Sequence, residues 1–483
     1  MIENSVSKSK LSRVIFASSA GTVIEWYDFY IFGILAPIIS TQFFPKENPT
    51  AALLATFALF GVGFVIRPFG SIIFGRLGDL VGRKHTFLLT LLIMGGATCA
   101  IGFVPGYGTI GIASPIIVLL LRALQGLALG GEYGGATTYV AEYSPKNKRG
   151  FYTSFIQTTA TLGLFISIGV ILLCRSLMGE ESFAHWGWRI PFLLSSILVI
   201  FSYIIRRKMH ESPEFEQLKK EQKISKNPLK ESFGKWSNLK WVLIALFGAC
   251  AGQGVVFYTS QFYAMTFCTN ALHIDAAQIQ KLLLIVLLIG TPLYIFFAKL
   301  SDTWGRKWIM LTGIGLAAIF YMPIYKGMAA QADYVTWMKT QPHGVEDSTS
   351  ATGAVATYDF RNGSVVTITE EPNKTTENVV LGSKNLFIIG LLILLQLVFV
   401  TMAYGPIAAF LVELFPANIR YTSMSLPYHI GNGVFGGLTP LIAQSLVVST
   451  GNMFAGLYYP IIVAGVTFVV GVVFIKERKN SVN

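Results

Sequence analysis

The sequence predicts an all-α membrane protein of twelve spanning helices in two six-helix halves, and three observations carry that reading. Of 483 residues, 53% are hydrophobic and only 13% charged, with mean hydropathy +0.58, whereas a soluble domain carries about 25% charged residues. Apolar runs such as 87–104, 282–298 and 386–403 approach the roughly 20 residues a helix needs to cross a bilayer. A loop pattern occurs twice, as GRLGDLVGRK at 75–84 and AKLSDTWGRK at 298–307. Backbone in lipid must satisfy its own hydrogen bonds, which leaves helices or a closed barrel. Long runs without alternation exclude the barrel.

Taken in order, the helices are expected near 14–40, 51–75, 86–104, 114–141, 151–175, 187–205, 239–267, 277–298, 308–327, 385–412, 421–448 and 453–475. The first thirteen residues are polar and basic, and the run after them is too long and aromatic for a cleaved signal. Helix 1 therefore reads as an uncleaved signal-anchor. Loops on alternate sides differ in Lys and Arg. Twenty-six lie on the side of both termini and the 206–238 linker, against nine at or near the other. That bias places both termini in the cytoplasm, in a chain expected to sit in a bacterial inner membrane. It also accounts for the net charge of +12 without a nucleic-acid partner. Cys99, Cys174, Cys250 and Cys268 stand singly, without metal-ligand or disulfide spacing, and read as packing residues.

The repeat extends beyond the first loop. AEYSPKNKR (141–149) is matched by VELFPANIR (412–420). The copies are offset by 223 residues at Asp79/Asp302 and by 271 at Glu142/Glu413. The extra 48 correspond to a polar stretch, 328–383, between helices 9 and 10. The expected organisation is a first half (1–205), a linker (206–238) and a second half (239–483) with 328–383 as an external insertion. Within the insertion, TYDFRNGSVVTI (357–368) has two β-prone runs around Asn362-Gly363, a dipeptide suited to a tight hairpin turn; the alternative is a disordered loop. In the linker, ESPEFEQLKKEQ (211–222) reads as a short surface helix begun near Ser212-Pro213.

These doubled loops, with RALQG at 122–126, resemble the major facilitator superfamily over nearly the whole chain. GTVIEWYDFYIFG (21–33), LGGEYGG (129–135), HWGWRIPF (185–192) and HESPEF (210–215) narrow the resemblance. They are similar to the metabolite:proton symporters, which include proline/betaine, α-ketoglutarate, citrate and shikimate carriers. The insertion departs from compact members of that group. The loop residues Asp79, Arg83, Lys84, Glu142 and Arg149, with Asp302, Arg306, Lys307, Glu413 and Arg420, are expected to be gate latches. Asp79 would accept hydrogen bonds from helix N-termini, and the basic groups would meet carboxylates or helix carboxyl ends. Plain topogenic charge is the alternative.

Five charges fall inside the expected helices: Glu25 and Asp28 on helix 1, Arg67 on helix 2, Arg122 and Glu132 on helix 4. Each costs at least ~2.5–3.5 kcal/mol at mid-bilayer, which makes it a functional hypothesis. At 1.5 Å per residue, Asp28 lies roughly 22 Å beyond Arg13, and Arg67 roughly 13 Å before Arg76. These depths suggest the pairs Asp28–Arg122 and Glu132–Arg67, with Glu25 left over. An excess carboxyl is a candidate proton carrier, Asp28 first; static pairs holding helices together are the alternative. The candidate substrate residues are Tyr27, Tyr30, Arg122 and Gln157 in the first half. In the second they are Gln253, Tyr258, Gln261, Gln396, Tyr404, Tyr428, His429 and Asn432. His429 can equally be a hydrogen-bonded packing residue.

No nucleotide-binding phosphate loop, metal-ligand cluster or nucleophile–base set occurs in the sequence, so no cofactor, no metal and no enzyme activity are expected. The expectation is a monomeric, lipid-embedded symporter that takes up a small organic acid or zwitterion with a proton, by alternating access. The rivals are an uncoupled facilitator or exporter of the same fold, and a transporter-like nutrient sensor.

Overall fold

The computed structural model describes residues 8–477, except 46, 341, 351–352 and 372–373. Within them, eleven helices are long and apolar enough to cross a membrane, and a bent pair counted as one span makes twelve. In order these are Leu11–Ile34 with Ala36–Phe43 (span 1), Ala51–Leu80 (span 2), Arg83–Phe103 (span 3), Ala113–Tyr143 (span 4), Lys146–Met178 (span 5) and Arg189–Arg207 (span 6). The second series comprises Trp236–Ala271 (span 7), Ala276–Trp304 (span 8), Arg306–Lys339 (span 9), Ser383–Leu414 (span 10), Arg420–Thr450 (span 11) and Ala455–Phe474 (span 12).

Several boundaries differ from expectation, for local reasons. Span 1 is not one rod: its two parts meet at 64°. The second part carries Pro37 in its first turn, where a proline's missing N–H costs nothing. Span 2 runs past residue 75 to Leu80, so most of the first loop motif is helix. The chain turns at Gly82 (φ 125°), as it does in the second copy at Gly305 (φ 99°). These conformations favour glycine and explain why both copies keep one there. Span 6 ends at Arg207 rather than at 205, which moves Arg206 from the linker into the bundle. Span 7 contains π-turns at Leu246–Cys250, Thr259–Tyr263 and Phe267–Ala271, and span 11 one at Ile430–Gly436. Such bulges re-aim helix faces and gather at functional sites.

The bundle is apolar outside and polar within. Leu177, Val448 and Phe103 are at least 70% exposed, while Glu25, Asp28, Arg67, Arg122, Glu132 and Arg206 are buried. The linker forms the expected helix, Pro213–Lys220, with Ser212 Oγ accepting from Phe215 N at 3.3 Å, followed by Pro228–Phe233. The insertion starts later than 328, because span 9 stays helical to Ala330 and resumes at Tyr334–Thr340. It is then an antiparallel meander of β1 (Pro342–Ser350), β2 (Gly353–Phe360), β3 (Val365–Glu371) and β4 (Lys374–Val380). The predicted hairpin is its β2–β3 pair, with Asp359 opposite Val365 and Gly363 at φ 77°. The sheet is anchored to the span 7–8 loop, where Val379 exchanges backbone bonds of 2.8 and 2.9 Å with His273 and Asp275.

Candidate functional site

A small cavity of about 30 Å³ lies between the two six-helix series. The first contributes Thr22, Trp26, Arg67, Leu129, Glu132 and Tyr133; the second contributes Phe257, Tyr258, Tyr404, Tyr428, His429 and Asn432. Tyr133 and Tyr428 stack face to face across it, with ring centroids 3.6 Å apart. Tyr428 also shares a 2.7 Å hydrogen bond with the Tyr404 hydroxyl. Two neighbours hold this wall from behind. Gln157 Nε2 donates to Tyr133 Oη at 2.8 Å, and Gln253 and Asn432 pair through their amides at 2.8 and 3.2 Å.

Two cavity groups have unused hydrogen-bonding capacity. Among the described residues, both ring nitrogens of His429 are buried without a hydrogen-bond partner, as are Nε and Nη2 of Arg67. The Arg67 guanidinium lies 4.3 Å from the Phe64 ring and 4.6 Å from Phe29, with Tyr258 beside it. Aromatic faces stabilise a cation but use none of its donors. A buried guanidinium without a carboxylate is costly unless a ligand completes it. The arrangement suits an anion.

The structure gathers Tyr258, Tyr404, Tyr428, His429 and Asn432 at this cavity, with Gln157 and Gln253 one layer behind. Other predicted substrate residues lie elsewhere. Tyr27 Oη donates to Pro191 O at 2.7 Å, inside the first half. Tyr30 stacks on Trp26 at 5.4 Å, Gln261 lies beside Tyr294, and Gln396 Nε2 turns to Met328 Sδ at 3.6 Å. Arg122 is enclosed by Phe29, Phe32 and Phe60, with Nη1 on Gln125 Oε1 at 2.6 Å. The sequence reading overlooked Thr22, Trp26, Leu129, Tyr133 and Phe257. Only Tyr133, inside the glycine-rich run of span 4, carried a usable signal.

Neither predicted ion pair forms. Asp28 does not meet Arg122; its buried carboxyl faces the hydroxyls of Ser195 and Thr98. Gln125 stands between the two, donating to Thr98 Oγ1 at 2.7 Å while it accepts from Arg122. Glu132 does not meet Arg67. It pairs with Arg206 at 2.8 Å, and Glu25 reaches the same guanidinium at 3.5 Å. Matching by depth failed because it ignored helix azimuth and assigned Arg206 to the linker.

On the face bearing both loop motifs, the two series are tied reciprocally. Asp79 of span 2 accepts from the N-terminus of span 11, at 2.8 Å from Thr422 N and 3.3 Å from Tyr421 N. Asp302 of span 8 accepts from Gly150 and Phe151 N in span 5, both at 2.8 Å. Each aspartate thus places negative charge at the positive end of a helix in the opposite series. Each also pairs with the arginine four residues on, Asp79–Arg83 at 3.2 Å and Asp302–Arg306 at 2.6 Å. The close crossing requires small residues: a Cβ on Gly78 would lie 2.1 Å from the Tyr421 ring.

Arg83 also meets Glu142 at 3.5 Å and, across the interface, Ala417 O at 2.6 Å; Arg306 meets Glu413 at 3.0 Å. Arg420 crosses to Glu142 at 2.8 Å. Glu214 of the linker helix joins Arg149 (2.6 Å) and Arg420, bridging both series. Burial raises the Glu214 carboxyl, but Arg420 and Arg149 outweigh it and hold the group below the usual glutamate range. Lys84 and Lys307 serve mainly through backbone. Glu211 caps Arg83 N and Lys84 N, and Glu477 caps Arg306 N and Lys307 N, at 3.0–3.3 Å. Lys307 Nζ additionally reaches Val472 O at 2.8 Å, the expected helix carboxyl end.

A family model described as "Sugar (and other) transporter" matches residues 14–230. The chain is 34% identical to the inner membrane metabolite transport protein YhjE of Escherichia coli (strain K12), over 97% of this chain and 95% of that one. It is 32% identical to the shikimate transporter of the same strain, over 95% of this chain and 92% of the relative. Identity to that strain's proline/betaine transporter is 31%, over 98% and 85%. Among solved structures, it superposes on the major facilitator superfamily proton:xylose symporter XylE bound to 6-bromo-6-deoxy-D-glucose. The TM-score is 0.71 over 98% of each chain, with 16% identity, a likeness of fold.

Proposed function

Because this chain belongs to the major facilitator superfamily of sugar and metabolite transporters, we propose that it is a proton-coupled importer of small carboxylates or zwitterions. The carrying observation is the cavity between the two halves, where Arg67 and His429 keep unpartnered donors and acceptors. Arg67 holds the substrate carboxylate by charge-assisted hydrogen bonds. His429 supplies a further polar contact, and the tyrosine wall packs the body of the substrate. At about 30 Å³ the cavity holds little more than one water, so the Tyr133–Tyr428 stack parts when substrate enters.

Alternating access follows from the latches. By the positive-inside rule the motif-bearing face is cytoplasmic, so the latched arrangement is closed to the cytoplasm. Inward opening releases Asp79 from span 11 and Asp302 from span 5, and separates Glu214 from Arg149 or Arg420. The halves 1–205 and 239–483 then rock about the cavity as units. The protein works as a monomer, with substrate and proton as its only obligatory partners.

The test is uptake into vesicles of labelled shikimate, proline, glycine betaine and citrate, with and without an inward proton gradient. At least one should accumulate, and only with the gradient. Equal flux in both conditions indicates a facilitator, and binding without flux a sensor. Arg67→Gln should raise the half-saturation concentration for the transported compound at least tenfold. An unchanged value would remove Arg67 from the site.

A further inference from the structure

Arg206, in the last turn of span 6, stands between two carboxyls. Its Nη2 lies 2.8 Å from Glu132 Oε1 on span 4, and its Nη1 lies 3.5 Å from Glu25 Oε1 on span 1. All three side chains are 1% exposed. The guanidinium fits because position 21 is glycine: a Cβ there would lie 2.0 Å from Arg206 Nη2. Phe87 covers its other side at 3.4 Å.

The charges do not balance. Two ionised carboxylates and one guanidinium leave this cluster with a net negative charge, which hydrocarbon strongly disfavours. The other titratable neighbours are Asp28, one turn along span 1, and Tyr421 of span 11, whose hydroxyl donates to Gly131 O. Neither brings positive charge, and among the described residues Arg67 pairs with neither carboxyl. Both carboxyls meet the same guanidinium, and two acids that share a site favour holding one proton between them.

The partners are unequal. Glu132 meets Arg206 and lies 3.2 and 3.1 Å from the Thr22 and Thr90 hydroxyls, whereas Glu25 Oε2 has no hydrogen-bond partner among the described residues. Glu132 and Thr22 line the central cavity. We infer that Glu25 and Glu132 form a proton-binding dyad clamped by Arg206, which holds one proton on Glu25 and exchanges it with the cavity through Glu132. This rests on the reading of the chain as a proton-coupled carrier. Asp28, which lies outside the cavity lining, is not the coupling site. Arg206 is a positioning residue that limits the dyad to one proton.

Infrared difference spectroscopy across a pH titration of the purified protein reads the dyad without a substrate. Wild type should show one titrating carboxylic-acid C=O band from the dyad. Glu25→Gln and Glu132→Gln should each lose it, since either leaves a simple ion pair with Arg206. Arg206→Gln should gain a second titrating carboxyl, and Asp28→Asn should leave the dyad's band in place. Persistence of the band in both glutamine variants, or its loss in Asp28→Asn, overturns the inference. Should one amide variant fail to fold, the other decides alone.

Vesicle uptake of shikimate and glycine betaine separates this inference from the symport reading. Gradient-driven accumulation should fall at least tenfold in Glu25→Gln and Glu132→Gln, while counterflow stays within twofold of wild type. If wild-type uptake ignores the gradient, symport itself fails whatever the spectra show. If wild type responds and both variants accumulate normally, the coupling role of the dyad fails.

Discussion

At the scale of single residues, the structure turns on which side chains have partners and which do not. Arg67 and His429 keep hydrogen-bonding atoms free beside a cavity, and Arg206 is shared by two acids. Arg67 was legible as an intramembrane charge. Arg206 was not, because one helical turn decides whether an arginine next to a basic linker is topogenic or buried. Glu214 gives the pH dependence a sign. Its carboxyl is held below the usual glutamate range, so its ties to Arg149 and Arg420 are fully present above that range. They are lost as pH falls through the lowered value. Acidification of the motif-bearing side should therefore raise the labelling rate of a cysteine introduced along the path that opens on that side. Glu214→Gln should label fast at every pH. A wild-type rate that does not change with pH would show that the bridge does not restrain opening.

At the scale of elements, the repeated loop acts through helix ends. Asp79 and Asp302 each cap a helix of the opposite half, while Glu211 and Glu477 cap the helices that follow the first and second copies of the motif. The sequence announced the aspartates, because the motif is doubled. It gave no sign of the glutamates, which come from the linker and from beyond span 12, far along the chain from the helices they cap. A charge at a partly buried helix N-terminus contributes about 1–2 kcal/mol. Asp79→Asn and Asp302→Asn should each shift the balance of closed and inward-open states by about five- to thirty-fold, without unfolding the protein. Double electron–electron resonance between spin labels on the motif-bearing face would read that shift. Wild-type distance distributions in both variants would reduce the motif to topogenic charge.

At the scale of the whole molecule, topology is the property to test first. In a background with the four native cysteines replaced, Lys226→Cys in the linker and Arg361→Cys in the β2–β3 turn are both exposed. They should react with an impermeant maleimide from opposite sides of the membrane. Reaction from the same side would overturn the twelve-span arrangement.

The sequence by itself determined what depends on composition and order along the chain: helical spans, two related halves, the place of the insertion, the aspartates of the doubled motif and the family. Each is a one-dimensional signal, because hydropathy fixes spans and a doubled motif fixes the repeat. Only the tertiary structure decided the pairings. Tyr133 meets Tyr428 across the halves, Arg206 rather than Arg67 meets Glu132, and Asp28 meets no arginine. A helix presents a different face every 100° or so of rotation. Its azimuth is set by packing against neighbours distant in sequence, here by glycines that admit Tyr421 and Arg206 and by π-turns that re-aim spans 7 and 11. Depth in the membrane can be counted along a chain, but the direction a side chain points is fixed only when the helices pack.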